Sequence, residues 1–191
     1  DHHKRHEHDI VNFYIGTTRG NAMWDLTWVY ASRPFIPRGP DGSFDKDMIF
    51  PASQIVTHRD RHWIYYNGYR ERHGIANRGP HGIGLATLPL DRFISLSTKD
   101  AKVGVILTKP FKLASSRLQV NAVGESVQVE MLNAKGQPVS TAQSDKLDAL
   151  RWEPRWANDG DLASLVGQTI RLRFTLRNAK LYAFQFINPT R

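Results

Sequence analysis

The segment Thr169–Leu176 reads TIRLRFTL and alternates without a break. Ile170, Leu172, Phe174 and Leu176 are set against Thr169, Arg171, Arg173 and Thr175. A period of two is the signature of a β-strand with one face buried and one face in water. Val127, Val129 and Met131 repeat the pattern against Gln128 and Glu130, and Asn133-Ala134-Lys135-Gly136 follows as a hairpin turn, Gly136 supplying the positive φ. Further strands are expected at Val103–Thr108, Leu118–Val123, Val127–Leu132 and Leu181–Phe186. Asp161–Leu165 fits one helical turn capped by Asp161, after which Gly167 returns the chain to a strand. Together these elements predict a β-sandwich over residues 94–191.

Residues 1–93 have the same all-β punctuation in a different texture. Short apolar runs, IVNFYIG, LTWVY, MIF, IVTH and HWIYYNGY, are separated by Gly, Pro and Asp clusters, and no window supports a long amphipathic helix. RPFIPRGPDGSF (33–44) holds three prolines and two glycines, so a structured loop is expected there and not a ladder strand. The chain has no cysteine, which removes disulfides, zinc-thiolate sites and thiol nucleophiles. It has no apolar run of membrane-spanning length.

The formal charge is +8, and its placement says more than its total. Arg33, Arg38, Arg59, Arg61, Arg70, Arg72, Arg78 and Arg92 fall in one stretch in which Lys46 is the sole lysine. Guanidinium grips carboxylate, sulfate or phosphate with paired hydrogen bonds, so an anionic ligand is one reading and pairing with local Asp residues the other. No helix-turn-helix, zinc-finger or RNP-like pattern accompanies the charge, which disfavours nucleic acid as the partner. In the N-terminal DHHKRHEHD, His2, His3, His6 and His8 read as metal ligands or as a solvated terminus.

Three segments carry a resemblance: FIPRGPDGSFDKDMIF (35–50), HWIYYNGYRERHG (62–74) and GIGLATLPLDRFISL (82–96). With TKPF, LQVNAVG and the closing GQTIRLRFTLRNAKLYAFQF, the chain resembles the later part of glycosidases built as a five-bladed β-propeller followed by a β-sandwich. These are grouped with glycoside hydrolase families 32, 43 and 130. The resemblance implies one or more partial propeller blades over 1–93 and a sandwich over 94–191. At about 40 to 50 residues per blade, at most about two blades fit before the sandwich. It also implies that these residues belong to a longer chain, that the protein is secreted or periplasmic, and that its partner is a carbohydrate, including an anionic polysaccharide. No organic cofactor is implied, although a structural cation such as calcium is compatible with it. One departure is that Ser32-Arg33-Pro34-Phe35 runs straight on where the family carries an inserted "SRDG…W" stretch.

Glycoside hydrolysis uses two carboxyl groups flanking the scissile bond. After the N-terminal tail, the first half offers Asp25, Asp41, Asp45, Asp47, Asp60, Glu71 and Asp91. Asp45 sits at a loop-to-strand junction and is the catalytic candidate, the alternative being a turn aspartate that accepts backbone N–H groups. Glu71, between Arg70 and Arg72, suits a nucleophile, an anchor or a surface pair.

In HWIYYNGYRERHG, His62, Ile64 and Tyr66 share one strand face and Trp63 and Tyr65 the other, and a blade packed on both sides would bury Trp63 and Tyr65. Tyr69, Arg70, Arg72 and His73 at its end, with Arg33, are the ligand-binding candidates, because sugars stack on rings and acids bind guanidinium. Trp152 and Trp156 in RWEPRW read as a sugar platform or as a cap on the sandwich. The expectation is a glycosidase-like protein acting on a polysaccharide, with a non-catalytic carbohydrate-binding module as the alternative.

Overall fold

The computed structural model describes residues 9–18, 20, 23–73, 79–98, 102–157 and 162–188. His2, His3, His6 and His8, Arg78 and the capping Asp161 lie outside them. The described chain is mostly β, with two antiparallel sheets, neither of them closed. It divides into compact units of Asp1–Leu88 and Pro89–Arg191.

In the first unit, β1 (Met48–Pro51), β2 (Val56–His58), β3 (Arg61–Tyr69) and β4 (His81–Pro89) form one sheet. β1 and β2 lie end to end along one edge of β3, with Phe50 opposite Asn67 and Val56 opposite Trp63. β4 pairs with β3. One face is closed by Ile36, Ile49 and Ile64, against which Phe13, Phe35, Tyr66 and Ala86 pack. LTWVY, read as one of the β-like apolar runs, contains instead a single helical turn, α1 (Thr27–Tyr30). Asp25 accounts for it, because its carboxylate accepts from both the backbone N–H and the hydroxyl of Thr27.

The second unit is built on β5 (Leu96–Ser97), β6 (Val103–Leu107), β7 (Phe111–Lys112), β8 (Arg117–Leu132), β9 (Pro138–Trp152) and β10 (Thr169–Ile187). β10 has β8 along one edge and β5, β6 and β7 in succession along the other; β9 borders β8. A 3-10 turn (Ala163–Leu165) stands where the helical turn was expected.

The separate strands expected at 118–123 and 127–132 are one strand, as are those at 169–176 and 181–186. In β8 burial runs Leu118, Val120, Ala122 and then Val127, Val129, Met131; in β10 it runs Ile170 to Leu176 on even positions and then Ala179 and Leu181. The phase of the alternation changes mid-strand, which in the sequence resembles a break between two strands. The change falls at residues with positive φ: Gly124 (153°) in β8 and Asn178 (42°) in β10, with Lys146 (52°) in β9. Gly124 pairs with Leu147 and Ala179, and Ser126 with Asp145 and Arg177, so the three irregularities form one line across the sheet. Both halves of the long strands feed a single core, which also takes in Trp156 with Trp152 packed against it. The tryptophans of RWEPRW therefore lie on the core and not on an exposed platform.

Candidate functional site

The loop ahead of β1 is shaped by its prolines and glycines. Pro34, Pro37 and Pro40 fix φ along it. Pro40–Ser43 closes as a turn in which the Ser43 N–H donates to the Pro40 carbonyl at 3.1 Å and Gly42 holds a φ of 92°. Gly39 lies so close to Asp45 and Ser43 that a Cβ there would strike the Asp45 carboxylate and the Ser43 hydroxyl.

Asp45 is buried and accepts a hydrogen bond from the Tyr66 hydroxyl at 2.9 Å. Phe44 stacks on Tyr66 with ring centroids 6.3 Å apart. Those two rings explain the glycines of YYNG and GIG. A Cβ on Gly68 would lie 2.6 Å from the Phe44 ring, one on Gly82 3.2 Å from it, and one on Gly84 would enter the Tyr66 ring. Burial, then the hydrogen bond to Asp45 and its negative charge, push the Tyr66 phenol up to about 12. Asp45 is thus enclosed by loop, rings and strand.

Asp47, two residues on, is also buried but reaches a groove of about 530 Å³. Lys46 Nζ donates to both Asp47 oxygens at 2.9 Å. Arg38 Nη1 stands 3.8 Å from Oδ1 and Arg72 Nε 3.7 Å from Oδ2. Arg38 is itself fixed, Nε donating to Asn12 Oδ1 at 2.9 Å and Nη1 to the Lys46 carbonyl at 2.5 Å. The Arg38, Lys46 and Arg72 side chains remain 28%, 29% and 34% exposed, against 7% for Asp47. Asp41 and the three prolines line the same groove.

Of the residues singled out in the sequence, Arg72 lines this groove. Tyr69 packs between Phe50, edge-on at 5.8 Å, and His81, stacked at 5.7 Å. Arg70 donates to the Gly42 carbonyl at 2.6 Å, bracing the turn. The His73 N–H donates to the Asp9 carbonyl, and the Arg33 guanidinium lies over the Trp28 ring, 5.9 Å from its centroid. Arg38, Lys46 and Asp47 complete the groove, although nothing in the sequence ranked them above their neighbours. The available signal, for Lys46 and Asp47 alone, was a pair of charged residues directly ahead of the buried pair Met48-Ile49. Among the described residues, no three His, Asp or Glu side chains converge as a metal set, and no helix is long and apolar enough to cross a membrane.

No protein-family model, curated protein or solved structure matches the chain.

Proposed function

We propose that this chain belongs to a glycosidase-like protein acting on a polysaccharide, with a propeller-type blade region followed by a β-sandwich, and that its first unit binds a sugar bearing carboxylate or sulfate. The observation that carries the reading is the convergence of Arg38, Lys46 and Arg72 on the single buried carboxylate of Asp47 at the wall of a groove. Three cations against one buried and one rim carboxylate leave a positive excess, with donors suited to an oxyanion. The proline walls hold the groove open before a ligand arrives, which lowers the entropy lost on binding.

The blade reading is supported by the second face of the first sheet. Phe50 and Val56 lie opposite Asn67 and Trp63, on the face that also carries Tyr65, and Arg61 on that face donates to Thr87 of β4 at 3.1 Å. Ile83 and Leu85 share the alternation of Thr87. Phe50, Val56, Tyr65, Ile83 and Leu85 are 38% to 77% exposed. The burial of Tyr65 expected for a blade packed on both sides is not met within the described chain, and an apolar face of this kind is what a neighbouring blade would cover.

Binding is favoured over hydrolysis for the groove itself, since Lys46 occupies both oxygens of Asp47 and Asp45 is enclosed behind Tyr66. A secreted or periplasmic location is part of the same proposal.

Titration calorimetry with oligogalacturonate, a sulfated oligosaccharide and a neutral hexasaccharide tests this function. Binding of a charged probe that weakens with salt and is lost in Arg38→Ala and Arg72→Ala is the expected result. Charged-probe binding indifferent to salt and to both substitutions refutes the groove. Release of reducing ends from the charged probe, abolished in Asp41→Asn, would show that the same groove also cleaves.

A further inference from the structure

The second unit holds a concavity of about 350 Å³ beside the line of positive-φ residues. Its floor is the face of the sheet turned away from the core. Ser126 lies opposite Arg177 and Asp145, and the next row places Gln128 opposite Thr175 and Gln143. Val127, Val129, Ala142 and Leu176 alternate with these residues and are buried beneath them, so the floor rests on packed core. Strands about 4.8 Å apart and rows about 6.8 Å apart make a grid of about 10 by 7 Å, the scale of a sugar ring.

The chemistry of this grid differs from that of the first unit. Glu125 and Lys146 rim it, and with Asp145 and Arg177 they form two acids against two bases. The charges cancel, so nothing selects a strongly charged ligand. Amides and hydroxyls dominate the floor, and each both donates and accepts, as a sugar hydroxyl does. Gln143 Nε2 donates to Asp145 Oδ1 at 3.0 Å. A hydrogen bond from Ser126, then the one from Gln143, with the charge of Arg177, holds the Asp145 carboxyl below its usual range. Lys146 keeps a left-handed backbone that costs a residue with a Cβ free energy, and that residue stands on the rim.

We propose that this concavity is a second binding site, which takes an uncharged, hydroxyl-rich saccharide segment on the outer face of β8, β9 and β10. The second unit then holds part of a glycan itself. The site shares no residue with the anion groove and does not depend on it.

The test is an NMR titration of the intact chain with cellohexaose, xylohexaose and mannohexaose. At least one probe is expected to shift the backbone amides of Ser126, Gln128, Gln143 and Thr175. Gln128→Ala and Gln143→Ala, both at solvent-facing positions, should each weaken that binding by about fivefold, while Arg38→Ala leaves it unchanged. Absence of shifts at those amides with every probe up to about 5 mM, or an affinity in both glutamine variants equal to that of the unsubstituted chain, overturns the proposal. So does loss of the neutral-sugar shifts in Arg38→Ala. None of these failures bears on oligogalacturonate binding in the first unit.

Discussion

The Tyr66 hydroxyl donates to Oδ2 of Asp45 across 2.9 Å, tying the middle of β3 to the loop ahead of β1. Asp45 is 7% exposed, so little water can replace the donor. Tyr66→Phe removes one hydroxyl and leaves the ring stack on Phe44 in place. A loss of about 1 to 3 kcal/mol in urea unfolding is expected, larger than for Tyr65→Phe on the exposed face.

The same pair sets an alkaline limit. The Tyr66 pKa is raised from 10.0 to about 12 in the folded chain, by burial first and by Asp45 second. Its contribution to stability is complete below pH 10 and is lost as pH rises through 12. In an absorbance titration of tyrosinate, one of the six tyrosines should ionise late, and Tyr66→Phe should remove that late step.

Glu130 and Arg173 form a paired bridge on β8 and β10, at 2.5 and 2.8 Å. The hydrogen bonds from Arg173 hold the Glu130 carboxyl below its ordinary 4.5. A depressed carboxyl stabilises the fold above its unfolded pKa and loses that contribution as pH falls through the folded one. Glu130→Gln should therefore cost about 1 kcal/mol at neutral pH. The gap from the parent chain should narrow as acid unfolding is followed below pH 4.5.

Asp47→Asn separates the structural and binding roles of the groove. Lys46, Arg38 and Arg72 lose their shared carboxylate, and a stability loss of about 2 kcal/mol is expected in thermal unfolding. The groove gains one unit of positive charge, so oligogalacturonate should bind more tightly to the folded variant at low salt. Weaker binding, with the fold intact, would mean that Asp47 is needed to aim the cations.

Two glycines on the second unit should differ in what a substitution costs. At Gly124 a Cβ would run into the Ala179 backbone and lie 2.6 Å from the Asn178 carbonyl, at a φ of 153°. Gly124→Ala should cost about 3 kcal/mol or more. Gly136, in the hairpin turn at a φ of 79°, has nothing within 4 Å of the added carbon, so Gly136→Ala should cost only about 1 kcal/mol, from backbone strain alone. Guanidinium unfolding of the two variants provides the comparison.

The TIRLRFTL alternation, the hairpin turn at Gly136 and the loop character of 33–44 were legible because each rests on a short-range rule. β9 was not: Pro138–Trp152 alternates only in part, and its pairing to β8 supplies what its own pattern lacks. Arg72 was recognisable as a charged residue at a strand end. That its partner would be Asp47 was not, since twenty-five residues and a strand reversal separate them. Tyr69 and Arg70 looked equivalent to Arg72 in sequence, yet one is taken into a ring stack and the other into a turn.

The sequence by itself determined the β character of the chain, the faces of its regular strands and the positions of its obligatory turns. Side-chain period and backbone φ preference act within a few residues, so a linear reading reaches them. Only the tertiary structure decided that the breaks at Gly124, Lys146 and Asn178 align across one sheet, and that Arg38, Lys46 and Arg72 close on Asp47. Those relations depend on strand register and on which charges are drawn out of water together, and neither exists until the chain has folded.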